Sequence, residues 1–280
     1  MMQAQSKSTK GRSTVASRLQ KLLDEKKWTD IKFLVGVQPN VEIVEAHRVV
    51  IAAASPVFEA MSFGGLAEVK GPVKVPDVSP AAFKVMLQHM YTEVAKFNTV
   101  EAACDVLQVA RKYLLTQLTD KCSAYLNNHL SPANACLILE ASAGEKDLSE
   151  ASIAKIRDCA DEVLARPDFV HVRWETLKHV IDQDALKLSS EVALLNASLC
   201  WAQQRCKESG LDPNCENLRS ALGSAFWKIR FLTMTAQELV GSSGFQKLLT
   251  DEEARMILAN IAQQNYCQLP STICSSNEKR

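Results

Sequence analysis

The chain has 280 residues, enough for two domains of ordinary size. It is 47% hydrophobic and 23% charged, with 10 glycines and 9 prolines, which is typical of a chain that folds around a core. Its 32 basic and 32 acidic residues balance, so net charge does not favour a nucleic-acid partner, whose phosphates would need neutralising. No apolar run approaches the roughly 20 residues that cross a bilayer, so we expect no membrane partner.

The nine cysteines are odd in number, are scattered along the chain and form no Cys-x-x-Cys pair. A disulfide framework or a structural zinc site would need tighter spacing. Most of them stand in apolar helical stretches, where a free thiol acts as a small core residue. We therefore expect the chain to lie in a reducing compartment, the cytoplasm, and the nucleus stays open as an additional location.

The first residues of the chain are basic and rich in serine and threonine, and the first acid is Asp24. This composition is shared with mitochondrial presequences, which stay open as an alternative. Residues 1–14 contain almost no apolar residues from which an amphipathic face could form. The sequence therefore predicts a disordered basic leader over residues 1–14.

The next stretch predicts a helix followed by a β-hairpin. An apolar stripe at helical spacing is formed by Val15, Leu19, Leu22 and Leu23. Ile31, Phe33 and Val35 then alternate with Lys32 and Leu34, the pattern of a strand. Residues 36–40 read as a turn and residues 41–44 as the returning strand.

Three Ser-Pro dipeptides stand before stretches of helix-forming residues: Ser55-Pro56, Ser79-Pro80 and Ser131-Pro132. A serine side chain can accept from an unpaired amide at a helix start, and proline at the first helical position lacks that amide. Each dipeptide therefore predicts a helix start. Between the first two, Val73, Lys74 and Val75 predict a short strand between two prolines. Further helices are predicted from a Thr99 cap to residue 114 and over residues 117–130.

After Ser131 the strand pattern disappears, and the chain predicts only helices and loops. The helices are expected over residues 133–143, 149–165, 174–181, 190–207, 217–228, 236–240 and 251–264, before a polar tail over residues 267–280. The sequence thus predicts a mixed α/β domain over residues 15–130 and an all-α domain over residues 131–266, with the boundary near Leu130.

Motifs of catalysis are missing from the sequence. The five histidines do not pair with each other or with a cysteine at metal-ligand spacing, and there is no phosphate-binding glycine loop or Gly-x-Ser-x-Gly turn. We therefore expect no catalytic residue, no metal and no cofactor, and a chain that is not an enzyme.

Several segments in a fixed order resemble a BTB/POZ domain over residues 15–130. These are Trp28-Thr29-Asp30-Ile31, the hairpin, Ala46-His47-Arg48, Ser55-Pro56-Val57-Phe58, Gly64-Gly65-Leu66-Ala67-Glu68, Val75-Pro76-Asp77-Val78, His89-Met90-Tyr91-Thr92 and Ala110-Arg111-Lys112-Tyr113-Leu114. The resemblance implies helices around a small sheet.

The second half resembles a BACK domain, the helical extension that follows BTB in many adaptors. The segments that carry this resemblance are Asn134-Ala135-Cys136, Leu188-Ser189-Ser190-Glu191 with Trp201, and Ile229-Arg230-Phe231-Leu232-Thr233-Met234-Thr235. Both halves together look like the BTBD-type adaptors of cullin-3 ubiquitin ligases. Those proteins usually carry a β-rich substrate domain after BACK, and this sequence shows no strand-rich region there, so the substrate protein stays unknown.

The resemblance implies a dimeric substrate adaptor that binds cullin-3 in the ubiquitin conjugation pathway. It places the cullin contact at Leu66 and Glu68, flanked by Phe63 and Tyr113, with Ser62 where many relatives carry phenylalanine. An apolar anchor beside a carboxylate is a sensible contact, because the anchor fills a pocket while the charge sets orientation. On the second domain, Ala133, Asn134 and Leu137 face either the cullin or their own core.

The resemblance also implies a homodimer or BTB heterodimer through the stripe Val15, Leu19, Leu22 and Leu23, with Asp30 and Arg48 at the dimer pocket. The residues leave alternatives open: the stripe can pack on its own domain, and Asp30 with Arg48 can form an internal salt bridge. A further alternative function is a dimerising scaffold or short regulator without a ligase role.

Overall fold

The computed structural model describes residues 14–64, 71–271 and 273–280. The chain divides into two compact units, Met1–Leu126 and Asn127–Arg280, each with its own interior. The leader predicted over residues 1–14 falls outside the described residues except for Thr14, which caps the first helix.

The first unit contains a three-stranded sheet in the order β2-β1-β3. Strand β1 (Ile31–Val35) pairs antiparallel with β2 (Glu42–Ala46) and parallel with β3 (Val73–Val75). In β1 the alternate residues Ile31, Phe33 and Val35 are buried, as the period of two requires. The predicted hairpin and the predicted short strand are both confirmed.

Helices surround this sheet: α1 (Val15–Asp24), α2 (Arg48–Ala54), α3 (Pro56–Phe63), α4 (Pro80–Thr92), α5 (Val100–Lys112) and α6 (Thr116–Asn128). The first two Ser-Pro dipeptides begin helices as predicted. Ser55 Oγ accepts from the amide of Phe58, and Ser79 Oγ accepts from the amide of Ala82. Thr99 caps α5 in the same way.

The core of the first unit is built on four aromatic rings. Phe33 of the central strand meets Phe58 edge-on at 5.7 Å between centroids and Phe83 at 5.1 Å. Tyr113 stacks on Phe58 at 4.4 Å and 7°. Such pairs add stability beyond the area they bury, so this cluster fixes the sheet against α3 and α4.

The second unit is helical throughout its described residues: α7 (Ala135–Ala141), α8 (Lys146–Asp158), α9 (Ala160–Leu164), α10 (Trp174–Ile181), α11 (Glu191–Glu208), α12 (Cys215–Leu222), α13 (Ala236–Gly241), α14 (Ser243–Leu248) and α15 (Asp251–Ala262), with short 3-10 helices at Pro167–His171, Gly223–Lys228 and Phe231–Thr233. The fold class is therefore as predicted, a mixed domain followed by a helical one.

Several boundaries differ from the predicted ones. Ser131-Pro132 does not begin a helix: the chain first makes a turn, in which the Asn134 side chain accepts from the amide of Ser131, and α7 starts at Ala135. The helix predicted over residues 149–165 is two helices that meet at Cys159. The helix predicted over residues 217–228 ends at Leu222, because Gly223 takes a φ of 51° and a 3-10 turn follows.

A buried ion pair holds α12 to α15 in the second unit. Arg219 donates two hydrogen bonds to the carboxylate of Glu253, at 2.8 and 3.0 Å, and its guanidinium lies 4.7 Å from the centre of the Trp227 ring. Burial alone would raise the pKa of Glu253, but hydrogen bonds from Thr250 and Arg219 outweigh it and lower that pKa. The pair therefore contributes to stability with Glu253 ionised.

Candidate functional site

Helix α1 is amphipathic, yet none of its residues is buried. Thr14 begins it by accepting from the amide of Ser17 at 3.1 Å. The helix contacts α4 of its own unit, and the predicted stripe divides: Val15 is 63% exposed, whereas Leu19, Leu22 and Leu23 are half-buried. The alternative that the stripe packs on its own domain is thus met for Leu19, Leu22 and Leu23, which their own unit mostly covers, and not for Val15.

A groove of about 650 Å³ with a mixed polar and apolar lining lies beside this helix. Its apolar side is lined by Leu19 of α1, Val49 and Ala53 of α2, Met90 of α4 and Leu114, and its polar side includes Glu93 and Gln117. Val49 and Leu114 are more than half exposed. The stripe of α1 and the apolar residues that line the groove are here called the α1 surface. Exposed apolar residues grouped in this way are a candidate contact surface for another protein.

Asp30 and Arg48 lie next to each other at the start of α2. The Asp30 carboxylate accepts from the backbone amide of Arg48 at 2.7 Å, and Arg48 Nε donates to the backbone oxygen of Asp30 at 3.3 Å. Asp30 thus satisfies an amide that the first turn of α2 leaves unpaired. The structure brings the two predicted residues together and gives Asp30 a structural role.

A buried histidine holds the turn that joins α1 to β1. Tyr91 Oη accepts from the His47 amide at 2.9 Å and lies 2.7 Å from His47 Nδ1, while His47 Nε2 lies 2.6 Å from the Lys27 carbonyl oxygen. Because a carbonyl only accepts, Nε2 carries the proton and Nδ1 accepts from the tyrosine. Burial raises the pKa of Tyr91 to about 12, so its hydroxyl keeps this proton.

This turn presents Trp28, whose side chain is 81% exposed and whose φ is 59°. A tryptophan so open to water is rare on the surface of a monomer. In the sequence, Trp28 stood out only as part of the segment that resembles the family. Its exposure was not predicted, because no local pattern distinguishes an exposed tryptophan from a buried one.

The cullin site predicted from the resemblance is described in part. Leu66 and Glu68 lie outside the described residues. Phe63, at the end of α3, is 64% exposed. The next residue has to be glycine, because a Cβ at Gly64 would lie 2.3 Å from the Ala60 carbonyl oxygen. Ser62 is buried, and its hydroxyl finds no partner among the described residues.

Tyr113 is the predicted contact that the structure corrects. Its side chain is 2% exposed, stacked on Phe58 inside the core, and burial raises its pKa to about 12. Its carbonyl oxygen accepts from Ser55 Oγ at 2.6 Å. A ring enclosed in this way cannot flank a partner, so Tyr113 supports α3 from beneath.

On the second unit, Ala133 and Leu137 are exposed at the first turn and helix α7. Asn134 is half-buried and donates to the His129 carbonyl oxygen while accepting from the Ser131 amide. The Asn134 side chain is thus used within the unit, and Ala133 and Leu137 are the members of this set with exposed apolar surface.

The described residues contain no group of three metal-ligating side chains and no helix long and apolar enough to span a membrane. All nine cysteines are free thiols. Burial raises the pKa of Cys104, Cys122 and Cys136 to about 12 each, which makes these thiols poor nucleophiles.

Family comparisons agree with the two units. The BTB/POZ domain family model matches residues 19–130, and the BACK model (BTB And C-terminal Kelch) matches residues 137–243. The two models thus cover both the mixed and the helical part of the chain, in the order that the resemblance implied.

Individual relatives match most of the length of this chain. Human BTB/POZ domain-containing protein 6 is 32% identical over 248 residues, which is 88% of this chain and 46% of that protein. Zebrafish BTB/POZ domain-containing protein 6-A is 33% identical, over 87% of this chain and 45% of its own length. Human BTB/POZ domain-containing protein 3 is 30% identical, over 87% and 47% respectively. The chain therefore spans about half the length of the curated relatives it matches.

Proposed function

Because the chain belongs to the BTB/POZ–BACK family, whose domains are typical of protein-interaction adaptors, we propose that it is a dimeric substrate-adaptor subunit of a cullin-3 RING ubiquitin ligase. In this function the first unit forms the dimer and binds the cullin. The second unit, or the segment after it, meets the substrate protein, whose identity is open.

The observation that carries the proposal is the α1 surface. Helix α1 is amphipathic, and its own unit leaves none of its residues fully buried and leaves Val15 63% exposed. Fully burying an exposed apolar side chain is worth about 1.5–3 kcal/mol, so covering Val15, Val49 and Leu114 in a second copy, with a smaller part from the partly buried leucines, can hold two chains together. Val49 and Leu114 on the apolar side of the adjacent groove extend the surface that such a contact would cover.

The proposed cullin contact consists of Phe63, Leu66 and Glu68. Phe63 supports it because an exposed aromatic side chain at the end of a helix is the kind of anchor that dominates protein interfaces. Ser62 brings no aromatic ring to this contact and is buried. We leave Tyr113 out of the contact because of its burial.

The proposed compartment is the cytoplasm, with access to the nucleus. All nine cysteines are free and three of them have strongly raised pKa values, so a reducing environment preserves them as core residues. Fractionation of cells that express the tagged chain tests this: recovery in the secretory pathway or in mitochondria contradicts it, whereas recovery in the cytosolic or nuclear fraction agrees with it.

A binding measurement with the purified N-terminal domain of cullin-3 tests the ligase role. Phe63→Ala removes an exposed anchor without opening the core and should weaken binding at least about tenfold. Ile43→Ala is the matched control, because Ile43 is 61% exposed on strand β2 and its loss should leave the affinity unchanged. The double variant Leu66→Ala, Glu68→Lys should abolish binding.

The same measurement separates the two candidate functions. A wild-type chain that dimerises but does not bind cullin-3 at micromolar concentration contradicts the ligase role and supports a dimerising scaffold. Full binding by the folded double variant contradicts the assignment of Leu66 and Glu68 while leaving the adaptor role in place.

A further inference from the structure

The helical unit encloses a fully paired guanidinium group. The side chain of Arg280 is 2% exposed and that of its partner Glu191 is 4% exposed. Arginine and glutamate side chains are among the least often buried, so an ion pair at this depth requires a built environment. The residues that provide it lie far from Arg280 in the sequence.

Four groups converge on this guanidinium. Arg280 Nε donates to both carboxylate oxygens of Glu191, at 3.1 and 3.2 Å. Its Nη1 donates to the carbonyl oxygens of Ile181 and Gln183, both at 2.6 Å, and its Nη2 donates to the carbonyl oxygen of Lys228 at 2.7 Å. Every nitrogen of the planar group thus has an acceptor.

Two of the carbonyl acceptors are positioned by helix ends. Ile181 is the last residue of α10, and Lys228 is the last residue of the 3-10 helix Gly223–Lys228. Carbonyls at such ends lack helical partners and carry partial negative charge. Glu191 begins α11 and is held in place by the Arg230 amide, which donates to it at 3.0 Å. The site is therefore a negative cradle that the folded helices create.

The segment that carries Arg280 makes two further contacts with this unit. Ile273 is buried in the helical core, and the Glu278 carbonyl oxygen accepts from Arg230 Nη1 at 3.1 Å. Residues 273–280, here called the strap, therefore lie along the unit with Arg280 as the most deeply held side chain.

We propose that this cradle is a guanidinium-binding site of the helical unit, filled in cis by Arg280, and that it takes an arginine side chain of another polypeptide when Arg280 is withdrawn. The acceptors of the cradle are arranged to receive hydrogen bonds from a planar guanidinium group, whose donors point outward like a fork. A lysine ammonium is a single point with three donors and cannot reach a carboxylate and three carbonyls in one plane. The site selects arginine over lysine for this reason.

The test uses the full chain with Arg280→Ala. Its melting temperature should fall by about 5 °C or more, because Glu191 is left buried without its partner. Methylguanidinium at millimolar concentration should raise the melting temperature of R280A saturably and leave the wild type, whose cradle is filled, unchanged. Methylammonium should raise neither. If R280A does not fold, R280Q carries the same comparison.

A labelled peptide with the sequence of residues 275–280 provides the trans measurement. It should bind R280A but not the wild type, and a peptide with lysine in place of its arginine should bind at least tenfold more weakly. The double variant Arg280→Ala, Glu191→Gln should lose both the peptide and the rescue. Equal responses of R280A and the wild type to methylguanidinium, or peptide binding that is indifferent to lysine, would overturn the proposal.

Discussion

Two capped amphipathic helices, one in each unit, differ in how far their apolar faces are buried. Helix α15 of the second unit is capped by Thr250 and buries Ala254 and Ile257 in the helical core. Helix α1 of the first unit is capped by Thr14 and has no fully buried residue. Both have the sequence pattern of a helix with one apolar face. The difference is what covers that face.

The comparison teaches that an amphipathic pattern fixes a helix and its sidedness but not the partner of its apolar face. In the second unit the partner is the chain itself. In the first unit the face is only partly covered, with Val15 exposed and with Val49 and Leu114 exposed at the adjacent groove. The proposed adaptor function assigns a second chain as the cover of these residues.

The largest expected effect comes from a substitution in the core of the first unit, in contrast to substitutions on its α1 surface. Phe33→Ala should lower the free energy of unfolding of the first unit by about 3–5 kcal/mol, because Phe33 is fully buried between Phe58 and Phe83. Urea unfolding followed by circular dichroism measures this. A loss below about 1 kcal/mol would contradict the aromatic core.

The next largest effect is expected where α15 and α1 are compared directly by one substitution in each helix. Ile257→Ala on α15 should cost about 2–5 kcal/mol, because it leaves a cavity in the helical core. Leu22→Ala on α1 should cost less, about 1–2 kcal/mol, when measured at a concentration where the chain is monomeric, because Leu22 is only partly buried. Equal losses from the two substitutions would remove the distinction on which the comparison depends.

A smaller effect concerns the Arg219–Glu253 pair of the second unit. Glu253→Gln should cost about 1–3 kcal/mol at pH 7, because it removes a charge-assisted bidentate contact. The pKa of Glu253 is lowered in the folded chain from its ordinary 4.5. The contribution is therefore complete above that value and is lost as the pH falls through the lower folded pKa. The difference in melting temperature between wild type and variant should shrink below about pH 4.5. A difference that persists there would contradict the ionic role.

The smallest expected effect is chemical and does not perturb the fold. A thiol reagent at pH 8 should label Cys200, which is exposed, in the native chain. Cys104 and Cys122 should react only after unfolding, because both are buried and their pKa values are raised to about 12. Mass spectrometry of the labelled peptides measures the order, and early labelling of Cys122 would contradict the packing of the first unit.

Much of the fold was predictable from local chemistry. The alternation in residues 31–35 predicted β1, and the serine caps of Ser55 and Ser79 predicted two helix starts. Ser131-Pro132 misled because the Asn134 side chain stabilises a turn at that place. Helix α14 went unpredicted because it contains Gly244, and that glycine is required by tertiary contact: a Cβ there would lie 2.6 Å from Leu195. Close approach between distant segments leaves no local pattern.

For the candidate site, the sequence predicted which face of α1 is apolar but not which side chains around it are exposed. The stripe of α1 and the contact of Asp30 with Arg48 follow from spacing and family resemblance. The burial of Tyr113 and the exposure of Trp28 do not, because both are aromatic residues beside element ends and only the packed fold decides which one faces water. Arg280 was placed in a polar tail, since nothing local predicts a cradle made by distant helix ends.

The central claim is that the α1 surface is an interface between two chains, and light scattering after size-exclusion chromatography at tens of micromolar chain tests it most directly. If the α1 surface is this interface, the wild type should have the mass of two chains and the double variant Leu19→Glu, Leu22→Glu the mass of one chain. The control Val37→Glu, at an exposed residue of the β1–β2 turn, should keep the mass of two. A wild-type chain with the mass of one, or a double variant that keeps the mass of two, would contradict the account.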